Sequence, residues 1–100
     1  MPPRQHFKKA KDKILGKKYE LDLVFADSKT MLRLNKTYRR KNKAADVLAF
    51  ALSPKLGQIF LNRELARKKE RLWTLYLHGL LHLKGFRHGP KMEALEKKFS

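Results

Sequence analysis

The segment Leu72-Trp-Thr-Leu-Tyr-Leu-His-Gly-Leu-Leu-His-Leu83 is apolar nearly all the way round a helix. An ordinary surface helix carries only an apolar stripe, whereas one that is apolar on every side has to be enclosed. A chain of this length buries only about two-thirds of the surface it exposes when unfolded. With 42% hydrophobic residues in 100, it has one thin core to offer, and this segment must run through it. The helical pattern extends back to about Arg63, where it becomes charged, and Gly85 stands just beyond its end at Leu83.

The rest of the chain has to build a shell around that helix. Residues 4–15 set Phe7, Ala10, Ile14 and Leu15 at helical spacing among lysines and stop at Gly16. From Tyr19 to Ala26 the chain alternates, Tyr19, Leu21, Leu23 and Phe25 against Glu20, Asp22 and Val24, the period of a half-buried strand. Asp27 or Ser28 caps a second helix through about Arg39, with Met31, Leu34 and Tyr38 as its apolar side. Residues 46–52 and 58–61 are short apolar runs separated by Ser53, Pro54 and Gly57, hence two strands with a tight connection. After Gly89-Pro90, the residues Met92, Leu95 and Phe99 mark a last short helix. The order helix, strand, helix, strand, strand, helix, helix predicts an α+β domain over residues 1–100: a small mixed sheet of about three strands packed with four helices.

Twenty-five Lys and Arg against nine Asp and Glu give a formal charge of +16. Self-repulsion of that size is ordinarily retained for a polyanionic partner: RNA, DNA or an anionic membrane surface. No apolar run approaches the ~20 residues that cross a bilayer. The basic start of the chain leads into no apolar h-region, so the expected location is the cytoplasm. The absence of Cys excludes a disulfide scaffold, a thiolate metal site and a Cys nucleophile.

Three of the four histidines lie within eleven residues, His78, His82 and His88. On a helix, His78 and His82 differ by roughly 40° in direction and about 6 Å in height, so both imidazoles can converge on one ion. A continued helix would carry His88 to the opposite side. Gly85 can take a left-handed conformation, end the helix and swing His88 back. A lone histidine on an apolar face is more often a hydrogen-bonded core residue than a ligand, but the third, set round a glycine that the geometry needs, shifts the balance. Three imidazoles without Cys describe a borderline metal site with an open position, zinc first, at the end of the long helix 63–83. His6 is read as a surface residue. The H-E-x-x-H proteases place their general base directly after the first His. Here that residue is Gly79, and no acid occurs between Glu70 and Glu93, so a zincin-type protease is not expected. Lys84, Arg87 and Lys91 around the site favour an anionic substrate such as a phosphodiester.

The run His78-Gly79-x-x-His82-Leu83-x-Gly85-Phe86-x-His88 resembles the metal-binding signature of the YbeY-type rRNA maturation endoribonucleases. Leu34-Asn35-Lys36-Thr37-Tyr38-Arg39-Arg40-Lys41-Asn42-Lys43-Ala44-Ala45-Asp46-Val47-Leu48-Ala49-Phe50 resembles that family's Leu-Asn-x-x-Tyr-Arg-x-Lys-Asp-x-x-Thr-Asp-Val-Leu-Ser-Phe segment, and Gly57-Gln58-Ile59 its Gly-Asp-Ile strand. The blocks span roughly Leu21 to Phe99 in the family's order. The resemblance implies a metal-dependent, single-strand-specific endoribonuclease that associates with the small ribosomal subunit and acts in rRNA maturation and quality control. It further implies one zinc held by His78, His82 and His88, with His82 and Arg39 in the catalytic centre and Arg39 engaging the RNA phosphate. Arg40, Lys41, Lys43, Lys84 and Arg87 join Arg39 as expected RNA contacts, from a stretch with seven basic residues and no acid between Ser28 and Ala45 and from the region after the histidines. Neither a membrane nor DNA is the expected partner.

Four positions depart from the family pattern: Arg87 and Gln58 stand where Asp is usual, Ala49 where Ser is, Ala45 where Thr is. Ligating histidines hold their second N–H on a carboxylate, carbonyl or water, and losing such partners commonly reduces affinity or activity ten- to hundredfold. The departures therefore leave a second expectation beside the enzyme, a non-catalytic rRNA-binding assembly factor with a structural or residual metal site.

Overall fold

One alternating segment and two apolar runs pair into one sheet. A computed structural model describes residues 4–64, 68–87 and 89–99. In chain order it contains α1 (Arg4–Ile14), β1 (Glu20–Ala26), α2 (Ser28–Arg39), β2 (Val47–Ser53), β3 (Leu56–Asn62), α3 (Lys69–Lys84) and α4 (Pro90–Phe99). The strand order is β1-β3-β2. β3 runs parallel to β1, with Ile59 beside Leu23, and antiparallel to β2, with Ile59 beside Ala49. The expected α+β architecture, a mixed three-stranded sheet with four helices, is the one observed.

Because side chains alternate across a strand, the sheet has two unlike faces. The odd-numbered residues Leu21, Leu23, Val47, Ala49, Ile59 and Leu61 meet α1, α3 and α4 in the main core, through which Leu72, Tyr76, Leu77, Leu80 and Leu81 run. The all-round apolar segment is thus enclosed as its pattern requires. On the other face, Ala26 and Leu48 pack with Met31 of α2 in a smaller cluster, joined by Leu34, Ala45, Phe50 and Phe60. Two glycines let β3 and α3 approach closely. A Cβ at Gly79 would stand 3.0–3.3 Å from three side-chain atoms of Ile59, and one at Gly57 would collide with the Tyr19 hydroxyl and press on Leu83.

α1 is tied on at both ends. Phe7 packs edge-on against Trp73 and Tyr76, and the Tyr76 hydroxyl donates to the Phe7 carbonyl at 2.8 Å. Burial, with a smaller contribution from the charge of Asp12, pushes the Tyr76 phenol well above its usual range. At the other end the Lys11 ammonium donates to the carbonyls of Gly16, Lys17 and Tyr19, joining the end of α1 to the start of β1.

Three expectations need correction. The long helix begins at Lys69, not at Arg63: at the end of β3 the Asn62 side chain accepts from the Glu64 N–H at 3.1 Å and donates to Ser28, a local turn that competes with helix. Tyr38 is not core but 64% exposed, because the last turn of α2 runs past the small cluster beneath it. Phe25 is 38% exposed at the end of β1, while its neighbour Ala26 is buried under α2. No helix among the described residues is long and apolar enough to cross a membrane.

Candidate metal centre and basic cleft

The four-residue spacing on α3 brings the two imidazoles together. His78 Nε2 and His82 Nε2 stand 2.9 Å apart, with ring centroids at 4.5 Å and planes at 82°. Each ring is held from behind. His82 Nδ1 donates to the Phe86 carbonyl at 3.1 Å, a contact that exists because the chain reverses at Gly85, whose φ is 110°. The same reversal caps α3, with Gly85 N–H donating to the His82 carbonyl and Phe86 N–H to that of Leu81. His78 Nδ1 donates to Glu96 Oε1 of α4 at 2.6 Å.

These acceptors decide the tautomer. A carbonyl oxygen accepts, as a carboxylate oxygen does, so with Nδ1 as the donor each ring turns its Nε2 toward the other. Two such nitrogens facing each other call for a shared positive charge, a proton or a metal ion. Two nitrogens on one tetrahedral zinc stand about 3.3 Å apart, given Zn–N bonds of about 2.0–2.1 Å. The pair is within a few tenths of an ångström of that, and imidazole with a hydrogen-bonded second nitrogen is the donor type zinc takes. The donor set therefore fits the ion as far as it is seen. His88, the third expected ligand, lies outside the described residues, and among the described residues no group of three His, Cys, Asp or Glu gathers at one point.

His78 also lines a cleft of about 530 Å³ between α3, the end of α2 and the loop leading into β2. Arg39, Lys41 and Lys43 line it with His78, so three of the expected RNA contacts face the same space as the first histidine. Arg40, Lys84 and Arg87 are not on its wall and are exposed elsewhere. His6, read as a surface residue, is exposed. The loop carrying Lys41 and Lys43 is pinned by Asn35, whose side chain is 2% exposed: its Nδ2 donates to the Lys43 carbonyl at 2.9 Å. The Asn35 backbone carbonyl accepts from the N–H groups of Arg40 and Lys41. Arg40 caps α2 in a left-handed conformation with φ 56°, a backbone region that non-glycine residues enter only when neighbouring contacts hold them there. Asp46 at the cleft's edge is bound to Arg71 at 2.6 Å.

Sequence reasoning missed Glu96 and Asn35. Asn35 left a signal, a polar residue four places after the buried Met31 on the face that α2 turns inward. Glu96 left none, since only the packing of α4 on α3 brings it to His78. The concern over the four departing positions is also altered. Gln58 is on the face of the sheet away from α3, donating to Asp22 at 3.1 Å, and Ala49 packs in the main core. Ala45 lines the cleft and packs beside the smaller cluster. The second nitrogens of His78 and His82 keep partners without any of them.

The sequence model of the family described as Endoribonuclease YbeY matches residues 4–99. Among curated proteins, the chain is 39% identical to Endoribonuclease YbeY of Campylobacter jejuni subsp. jejuni serotype O:23/36 (strain 81-176), over 74% of this chain and 65% of that protein. It is 34% identical to Endoribonuclease YbeY of Pelagibacter ubique (strain HTCC1062), over 78% of this chain and 62% of that protein. The chain thus spans just under two-thirds of the length of these relatives. The solution structure of TM1509 from Thermotoga maritima shares the fold, with a TM-score of 0.58 and 21% identity, over 95% of this chain and 77% of that one. The paired histidines, the glycine that turns the chain behind them and the match over nearly the whole sequence agree: the chain belongs to the YbeY endoribonuclease family.

Proposed function

We propose that this chain is a metal-dependent endoribonuclease that cleaves single-stranded RNA and acts in the cytoplasm on rRNA, at the small ribosomal subunit, in maturation and quality control. The observation that carries the reading is the pairing of His78 and His82, 2.9 Å apart, with His78 on the wall of a cleft that Arg39 also lines. His78, His82 and His88 would hold one zinc, which when bound supplies a Lewis acid for a phosphoryl oxygen and acidifies water.

The chain's own residues do the remaining work. Glu96 and the Phe86 carbonyl keep both rings in the tautomer that presents Nε2 and stop them rotating away. Arg39 forks onto a phosphate oxygen pair and offsets the charge that builds on it during displacement. Lys41 and Lys43, on the Asn35-pinned loop, hold the flanking backbone as point charges. Lys84 and Arg87 are exposed close in sequence to the histidines and extend the attraction for RNA outside the cleft.

Metal analysis paired with cleavage of a single-stranded RNA by wild type and His82→Ala tests the proposal. Wild type should contain close to one zinc per chain and cut the RNA, and His82→Ala should lose both. Activity retained by the variant would sink the assignment, and bound zinc with no cleavage by wild type would leave the rRNA-binding assembly factor instead. The end group of the product identifies the nucleophile, since a 2′,3′-cyclic phosphate marks attack by the ribose hydroxyl.

A further inference from the structure

Tyr38 is the last large apolar side chain of α2, and the fold leaves it uncovered although its helical spacing from Met31 and Leu34 marks it for the core. Its ring is nevertheless held. Tyr38 meets Phe50 edge to face, with centroids 5.2 Å apart at 66°, and Phe50 meets Phe60 in the same way at 5.8 Å and 80°. The three rings step from the solvent down to the sheet, and with Leu34, Leu52 and Gln58 they line a shallow groove of about 180 Å³. Leu52 is 55% exposed, so the groove is an apolar patch open to water.

What surrounds this patch selects its occupant. Arg39, Arg40, Lys41 and Lys43 follow Tyr38 directly in the chain, and all are exposed. Consecutive helical residues point about 100° apart with Cα atoms about 3.8 Å from each other. Arg39 accordingly faces the cleft with His78 while Tyr38 faces the groove. An apolar surface that would dock an ordinary protein has no use for four adjacent like charges, whereas single-stranded nucleic acid offers both complements, an anionic backbone and flat bases with π faces. A ring already braced by Phe50 also gives up little rotamer freedom on stacking.

We infer that Tyr38 is the stacking platform of a nucleobase subsite, which receives an unpaired RNA base next to the phosphate engaged by Arg39. The inference rests on the proposed RNA substrate and adds a base-binding contact to it. The Tyr38–Phe50–Phe60 ladder sets the orientation of the platform, and the step from Tyr38 to Arg39 sets the register between stacked base and bound phosphate. A base inside a duplex has no free face to offer, so the subsite selects single strands.

Equilibrium binding of a short oligoadenylate, 2′-O-methylated so that it resists cleavage, tests the inference by fluorescence anisotropy over a salt series. Stacking on one aromatic contributes about 1–3 kcal/mol, so Tyr38→Ala should bind about five- to 150-fold more weakly, with the salt slope of wild type. Tyr38→Phe should bind like wild type. Removing one base from the probe should weaken binding to wild type by a similar factor and leave Tyr38→Ala nearly unaffected. Arg39→Ala should do the reverse, lowering the salt slope by about one while keeping its sensitivity to the missing base. Melting curves establish that Tyr38→Ala is folded, as its exposure predicts. Wild-type affinity in Tyr38→Ala, or loss that Phe does not restore, would overturn the inference and leave the RNA substrate standing. A change in self-association without a change in RNA binding would assign the groove to a second copy and overturn it too. If wild type fails to bind the probe at all, the proposed function falls first and the subsite with it.

Discussion

Under the proposed function, the two faces of the sheet do different work. The face under α1, α3 and α4 is closed, and its residues Ile59 and Leu61 have no contact with solvent. The face under α2 is closed only around Met31, Ala26 and Leu48, and beyond them it runs out into Phe50, Leu52 and Tyr38. The paired histidines belong to the helix on the closed face, and the cations of the cleft wall belong to the helix end and loop on the open one. A metal centre needs ligands held to a few tenths of an ångström, which dense packing supplies. A surface for single strands needs exposed charge and free ring faces, which dense packing would abolish. The division of labour follows from burying one face of a small sheet under α3, itself flanked by α1 and α4, and the other under α2 alone.

Matched truncations give the sharpest test of that contrast. Leu61→Ala on the closed face should cost about 2–5 kcal/mol of stability, whereas Leu52→Ala on the open face should stay within about 0.5 kcal/mol. Similar losses in urea melts of the two variants would dissolve the distinction. At the proposed metal centre, Glu96→Ala removes the acceptor behind His78 and should weaken zinc about ten- to hundredfold in a chelator competition, with the fold intact. Unchanged affinity would show that α4 does not orient the ring. Gly57→Ala asks how tight the closed face is: the new methyl meets the Tyr19 hydroxyl and Leu83, and overpacking of this kind costs about 1–3 kcal/mol. A neutral substitution there would mean that Tyr19 is free to withdraw.

The smallest effect is on the open face, at the start of α2. Asp27 accepts from the Thr30 N–H at 2.8 Å. That backbone hydrogen bond, with lesser help from the Thr30 side chain and the charges of Arg63 and Lys29, holds its carboxyl below the usual range. A carboxyl whose pKa is depressed by folding stabilises at pH above its unfolded value, and the contribution fades as pH falls through the folded one. Asp27→Ala should therefore melt slightly lower than wild type at neutral pH, with the gap narrowing on acidification. A gap that widens would contradict the capping role.

Periodicity made most of this fold legible. The strands and three of the helices follow their apolar spacing to within a residue or two, and Gly85 turns left-handed where the histidine geometry asks for it. The failures share a cause, which is that spacing along a chain does not say what lies opposite. Tyr38 continues the stripe of α2, but it meets the sheet at the Phe50 ring and stays mostly exposed. Glu96 comes from a helix that begins only after the histidines, and only the packing of that helix on α3 brings its carboxylate to His78. Gln58 could have been placed, since it is one residue from Ile59 and strand parity alone sends it to the face away from α3. Asn62 ended a strand and delayed a helix through two side-chain hydrogen bonds that no hydrophobic pattern records.

Gly79 carries a consequence for how hydrolytic metal sites change over time. In the zincin arrangement the residue after the first histidine is a glutamate that takes the proton from water. Here that position faces Ile59 across a gap too narrow for a methyl group to enter without displacement. A carboxylate there would have to displace the Ile59 side chain and would sit uncompensated in the most apolar part of the molecule. The two histidine motifs differ on paper by one substitution, but here that substitution first has to displace the Ile59 side chain by a few tenths of an ångström. In a chain of this architecture the step toward the protease's chemistry carries a packing cost, and a designer who wanted a base at that spot would first have to make room at Ile59.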